Sequence, residues 1–105
     1  MQVTERRSMN GFYLVGRITG IPEKAETASG ITLCRLRICV SRTNKDQENE
    51  DEIFEIVLFR SLAEERYEEG KMVAVAGRIQ ANNFEKEGNT YYHANLIGNS
   101  VTVIQ

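Results

Sequence analysis

An aromatic ring in a hydrophilic stretch and arginines alternating with apolar residues are the side chains of this 105-residue sequence best placed to meet a ligand. Phe84 stands in Asn82-Asn83-Phe84-Glu85-Lys86-Glu87-Gly88-Asn89, which reads as a polar loop. At such a loop tip one protomer offers the ring little to pack against, leaving it for stacking or for a subunit contact. Phe59 ends the run Ile53-Phe54-Glu55-Ile56-Val57-Leu58-Phe59, in which Phe54, Ile56 and Leu58 already supply a complete buried face. Phe59 therefore sits with Ile53 and Val57 on the other side, as a stacking ring or as further core. Arg35 and Arg37 alternate with Cys34, Leu36 and Ile38 and point away from whatever those three bury. Arg78, after Gly77, and Lys86, beside Phe84, complete a set of cations that could line one groove, though Arg35 and Arg37 also fit plain solvated strand residues.

The same inventory argues against catalysis. His93 is the only histidine, with neither a carboxylate nor a nucleophile assignable to it, and it reads as an ordinary strand residue. Cys34 and Cys39 fall five positions apart in one strand, so their Cα atoms are about 16 Å apart, beyond disulfide reach. With no other Cys or His near them, no metal ligand set exists, and no cofactor or enzymatic activity is expected.

The elements that must hold these groups follow from period and punctuation. Phe12 to Ile18 reads as a first strand with Gly16 as a bulge or bend, closed by Gly20-Ile21-Pro22; a polar loop follows to Gly30. A second strand covers Ile31 to Ser41, with Thr32, Cys34, Leu36, Ile38 and Val40 on one face. Residues 42–51 hold no apolar side chain and read as a long solvated loop. The third strand, Ile53 to Phe59, runs into Ser61-Leu62-Ala63-Glu64, whose Ser/Glu spacing predicts a capped helix running to about Glu69 and ended by Gly70. Met72 to Gln80 is a fourth strand with a bend at Gly77, Tyr91 to Ile97 a fifth, and Val101 to Ile104 a short closing one. Phe12, Tyr13, Tyr67, Tyr91 and Tyr92 are expected in the core or at subunit contacts.

Five strands with a helix between the third and fourth is the order of an all-β OB-fold, a five-stranded, partly open Greek-key barrel. The length suits one domain, residues 1–105, with residues 1–8 as an arm. No apolar run approaches a membrane span and no secretory signal is visible, so a cytoplasmic protein without membrane partners is expected. Charge is uneven: residues 1–41 carry six Lys/Arg and three Asp/Glu, residues 42–70 four and ten, and residues 71–105 three and two. The acidic excess is thus local, to the 42–52 loop and the helix, and a groove with only a few cations implies modest affinity for a polyanion.

The chain resembles the bacterial single-stranded DNA-binding proteins in several pieces of matching order and spacing. These are Met9-Asn10, Leu14 to Ile18, Ile21-Pro22-Glu23, Gly30, Phe54 to Phe59 with Leu62-Ala63-Glu64, Tyr67 with Gly70-Lys71, and Val75 to Ile79. The resemblance implies an OB-fold, usually a homotetramer, that coats single-stranded DNA in replication, recombination or repair without reading its sequence. It places stacking positions at Asn44, Ile53, Phe59 and Phe84, of which only the last two are aromatic here, and the chain has no Trp. The family's linker and acidic tip, which recruit other proteins, have no counterpart before Gln105. The expected function is therefore single-stranded DNA binding by stacking on Phe59 and Phe84, with Arg35, Arg37, Arg78 and Lys86 on phosphates. Two alternatives are an interaction subunit engaging replication proteins, similar to primosomal replication protein N, and a single-stranded RNA binder. A homo-oligomer, tetramer before dimer, is expected to meet through strand one at Phe12, Tyr13 and Leu14.

Overall fold

The computed structural model describes residues 8–105, so all of the expected arm but Ser8 lies outside the described residues. Six strands and one helical turn follow in order: β1 Phe12–Ile18, β2 Glu23–Glu26, β3 Thr32–Thr43, β4 Asn49–Phe59, α1 Ser61–Glu64, β5 Met72–Lys86 and β6 Asn89–Val103. The sheet order is β1-β5-β6-β4-β3-β2, and β1 also pairs with β3 through Arg17↔Cys39 and Ile18↔Ile38, closing a five-stranded barrel with β2 on its edge. All pairings are antiparallel except β4 with β6, which meet at Ile56↔Leu96 and Val57↔Ile97. This is the OB-fold, with the helix between the third and fourth barrel strands as the sequence predicts.

The barrel is filled by alternate residues. Cys34, Leu36 and Ile38 of β3, Ile56 and Leu58 of β4, and Val73 and Val75 of β5 are wholly buried, with Ile18 of β1 beside them. Each large aliphatic side chain so buried contributes roughly 1.5–3 kcal/mol, and this buried set is what closes the barrel. Gly16 is where β1 and β3 come closest: a Cβ there would meet the Cys39 carbonyl oxygen and Ile38 Cγ2, so close approach, and no bulge, explains it. The bulge lies between Ala76 and Gly77, where the β5–β6 register shifts and an added Cβ would strike the Ile97 backbone.

The helix is shorter than its Ser/Glu spacing suggests. It is a single turn with Arg60 at the N-cap, at φ 59° and ψ −127°, and no side chain caps it. Glu65 is extended, and Tyr67 folds back into the core with its hydroxyl donating to the Leu62 carbonyl at 2.7 Å. That bond satisfies the carbonyl a longer helix would have offered to the next turn. Burial, reinforced by the Glu65 carboxylate, pushes the Tyr67 phenol well above its ordinary value, and burial likewise raises the Cys34 thiol against the lowering effect of Lys24. Gly70 is left-handed at φ 92°, but in a turn instead of at a helix end.

The two stretches read as polar loops are hairpin arms. β3 and β4 stay paired out to Thr43↔Asn49, and β5 and β6 out to Lys86↔Asn89. The second closes on Glu87 and Gly88, both at positive φ (53° and 80°), the signature of a two-residue type I′ turn. Polarity foretells exposure, and an arm with two solvated faces lacks the apolar alternation by which strands are recognised. The same reasoning explains why β2, exposed at all four residues, escaped notice, and why the fifth and closing strands are one. With its arms the chain has a radius of gyration of 16.9 Å, well above the roughly 13 Å of a compact domain this long.

Candidate nucleic-acid interface

The register determines which side chains share a surface. On β3 and β4, Cys39↔Ile53, Arg37↔Glu55, Arg35↔Val57 and Leu33↔Phe59 are directly opposed, and these pairs, of which only Leu33 is buried, alternate with those that fill the barrel. Val57 is paired with Ile97 of β6, and Ile97 with Arg78 of β5. Period two then carries the same surface out along the second arm through Gln80, Asn82, Phe84 and Lys86 on β5, and Asn95, His93 and Tyr91 on β6. Seven of the eight expected site residues therefore fall on one outward sheet face: Arg35, Arg37, Ile53, Phe59, Arg78, Phe84 and Lys86. An open groove bordered by Arg35, Val57, Phe59, Gln80, Asn82 and Asn95 joins the barrel part of this face to the arm.

Asn44 does not belong to that face. It opens the β3–β4 turn, its side-chain oxygen accepting from the Asp46 and Glu48 amides at 2.9 and 3.0 Å while its amide nitrogen donates to Glu50 Oε1 at 2.7 Å. Its polar atoms are committed to holding the turn.

Phe84 is not the isolated ring of a loop tip. Its centroid lies 5.3 Å from that of Tyr91 and 5.2 Å from that of His93, with planes within 20° and 19° of parallel. Tyr91 is directly opposite on β6 and His93 two residues on, so three rings form one aromatic surface on the arm. Phe84 and Tyr91 are each 43% exposed, and neither Tyr91 nor Tyr92 is core as the sequence reading had allowed. Tyr91 and His93 are the members of the site that sequence reasoning missed. The signal was there in their alternation, 91 and 93 on one side of a strand, but it has meaning only once Phe84 is paired across from them.

Phe59 is half-buried at the barrel end of the groove, while Ile53, at the far end of β4, is 54% exposed. The cations differ in their partners. Arg35 and Arg37 both face Glu55, and Arg37 also faces Glu23. Arg78 reaches only Gln80 Oε1, at 3.5 Å, and neither it nor Lys86 forms an ion pair among the described residues. Asn10 holds the backbone next to Arg78: its side-chain amide donates to the Ile79 carbonyl and accepts from the Ile79 amide, both at 2.7 Å. Among the described residues no three His, Cys, Asp or Glu side chains gather as a metal site, and no helix is long and apolar enough to cross a membrane.

An outward face of rings and cations on an OB barrel can hold a flexible chain of flat, negatively charged units. Known proteins resemble this chain along most of its length. A single-stranded DNA-binding protein of Staphylococcus aureus (strain Mu50) is 34% identical over 92% of this chain and 66% of its own. Single-stranded DNA-binding proteins of Oceanobacillus iheyensis and Aquifex aeolicus are 33% and 27% identical, with 64% and 70% of their lengths matched. The chain thus spans about two thirds of these relatives. A crystal structure of a deletion mutant of the single-stranded DNA binding protein from Thermus aquaticus superposes with a TM-score of 0.72, over 92% of this chain and 51% of that one, at 19% identity. The sequence model of the single-strand binding protein family matches residues 9–104, and the chain belongs to that family.

Proposed function

We propose that this protein binds single-stranded DNA without sequence preference, as a binding module and not a catalyst, in replication, recombination or repair. The observation that carries the reading is the continuity of one outward face from Ile53 and Phe59 on the barrel to Phe84, Tyr91 and His93 on the arm. Bases stack on Phe59 and on the arm's rings, because every base has a π face and none is read by its edge. Arg35, Arg37, Arg78 and Lys86 follow the phosphates, and Ile53 gives apolar contact at the far end. Asn44 serves by shaping the neighbouring arm. Three to four cations per protomer correspond to a slope of log affinity against log salt of about −2 to −3 for each protomer's share. The relatives named above, known as single-stranded DNA-binding proteins, support the ligand class.

The protein works as a homo-oligomer, a tetramer by family likeness, in the cytoplasm, where its unbridged thiols Cys34 and Cys39 need no oxidising compartment. Strand β1 supplies a suitable contact at Tyr13, one of the three residues its sequence suggests, and at Val15, with Phe12 and Leu14 turned inward. Phe12 and Leu14 pack against the core, whereas Tyr13 and Val15 are 67% and 43% exposed and stand opposite Ala76 and Ala74 of β5. Sedimentation at micromolar concentration should show a species heavier than the 11.9 kDa protomer; a monomer alone contradicts the assembly.

Titration of labelled oligo(dT), its RNA equivalent and a duplex, at low and moderate salt, tests the ligand class. Single-stranded DNA should bind, weaken with salt and outcompete the duplex. Equal or tighter binding of RNA makes this an RNA binder, and no binding to any of the three leaves an interaction subunit.

A further inference from the structure

We propose that Glu55 is a brake built into the binding face, holding Arg35 and Arg37 in internal ion pairs that an incoming strand must displace. The inference rests on the single-stranded DNA reading above. Glu55 on β4 is directly opposite Arg37 on β3, with Arg35 next along the same side. Its two oxygens divide between the two guanidinium groups: Oε1 lies 4.0 Å from Arg35 Nε and Oε2 4.0 Å from Arg37 Nε, while Glu23 Oε1 reaches Arg37 Nη2 at 3.6 Å. Two cations thus face two carboxylates at the barrel end of the face, and the patch is neutral. Arg78 and Lys86, on the same face, form no such pairs among the described residues.

Stability does not account for Glu55. All four side chains are between 43% and 59% exposed, and ion pairs so open to water contribute little to folding. Its neighbours on the same side of β4, Ile53 and Val57, are apolar, so the strand has no need of a charge there. What the carboxylate does affect is a polyanion. A phosphate approaching Arg35 or Arg37 must replace Glu55 as partner and then remain beside it, where like charges a few ångströms apart repel even in water. The two arginines therefore release fewer counterions on binding than their number suggests, and the salt slope is shallower than the cation count implies.

Glu55→Gln keeps the shape and removes the charge; Glu68→Gln makes the same change in net charge off the face, on a residue paired with Arg66 at 3.6 Å. Oligo(dT) titrations at several salt concentrations should show Glu55→Gln binding about three- to tenfold tighter than wild type at low salt, with a slope steeper by about 0.7 and an advantage that shrinks as salt rises. Glu68→Gln should stay within about twofold of wild type, because it leaves Arg35 and Arg37 in their ion pairs with Glu55. The proposal is overturned if Glu55→Gln binds no tighter, or binds more weakly because the carboxylate was orienting the arginines, or if Glu68→Gln gains as much. Failure of wild type and Glu55→Gln alike to bind, with the fold intact by circular dichroism, removes the single-stranded DNA reading itself and the brake with it.

Discussion

The β3–β4 and β5–β6 hairpins both run past the barrel with two solvated faces, yet they handle charge in opposite ways. In the first, Arg42 is spent on Glu50 and Glu52 at 2.7 and 3.1 Å, Ser41 on Asp51, and Asn44 on Glu50 and its own turn. Between Ser41 and Glu52 the arm holds two cations and five carboxylates, an excess that repels a polyanion. In the second, three near-parallel rings occupy the outward face, with Arg78 and Lys86 on the same side and Glu85 on the other. Two arms of one architecture thus differ in what they can hold: ion pairs and turn bonds close the first upon itself, and the second presents flat apolar area flanked by cations. The lesson is that the fold supplies the arms and the outward-facing residues of each decide its use.

Exchanging the arms for minimal turns should have the largest effect. Replacing residues 82–93 by Asn-Gly between the paired Ala81 and Ala94 removes all three rings and Lys86, and should weaken oligo(dT) binding by about 100-fold or more, at roughly 1–3 kcal/mol per stacked base. The matching cut of residues 42–50, between the paired Ser41 and Asp51, should leave affinity equal to wild type or slightly higher. Equal losses in the two truncations, measured by anisotropy with the barrel intact, contradict the division of labour.

Asn44→Ala loosens the first arm alone. Two backbone amides lose their acceptor, so urea denaturation should show a loss of about 1–2 kcal/mol. Binding at fixed salt should stay within about twofold of wild type, since the residue acts on the turn; a tenfold loss of affinity in the folded variant makes Asn44 a ligand contact.

Tyr67→Phe, in the core, should cost about 1 kcal/mol through the lost bond to Leu62. Its pH dependence has a definite sign. The folded state raises both the Tyr67 phenol and the Cys34 thiol, so the stability they confer is complete below their ordinary values and is lost as pH rises through about 9 to 10 and beyond. Urea midpoints from pH 7 to 11 should therefore fall at the alkaline end, and Tyr67→Phe should fall less above about pH 10. A midpoint that rises there, or a variant that falls as steeply as wild type, contradicts the burial of that hydroxyl.

The smallest effect belongs to a single cation. Arg78→Ala should reduce affinity a few-fold at low salt and flatten the salt slope by less than one unit, because it releases counterions from about one phosphate. A loss that persists undiminished at high salt means that Arg78 does more than pair with phosphate.

Burial decides how much of this is legible in the sequence. Cys34, Leu36 and Ile38, and Ile56 and Leu58, alternate as a strand with one buried face must, and the structure buries every one of them. Period two also places Arg35, Arg37 and Phe59 on the outer side. Past the barrel rim both faces of each hairpin are wet, apolar spacing no longer reports strands, and Lys86 and Asn89 read as loop although they are paired. The aromatic surface was illegible for a related reason: Phe84 and Tyr91 are seven positions apart, and only the Glu87-Gly88 turn fixes the register that stacks them. The helix misled because a Ser/Glu spacing is a local signal, while the end of the helix is decided by Tyr67 reaching the core.

One double titration separates the affinity that stacking on the β5–β6 arm supplies from the salt-dependent part that charge supplies. Wild type and Phe84→Ala are each titrated with oligo(dT) across a series of salt concentrations. The account predicts two nearly parallel lines of log affinity against log salt, with Phe84→Ala lower by about tenfold or more throughout. Lines that coincide in a folded, correctly assembled protein contradict it.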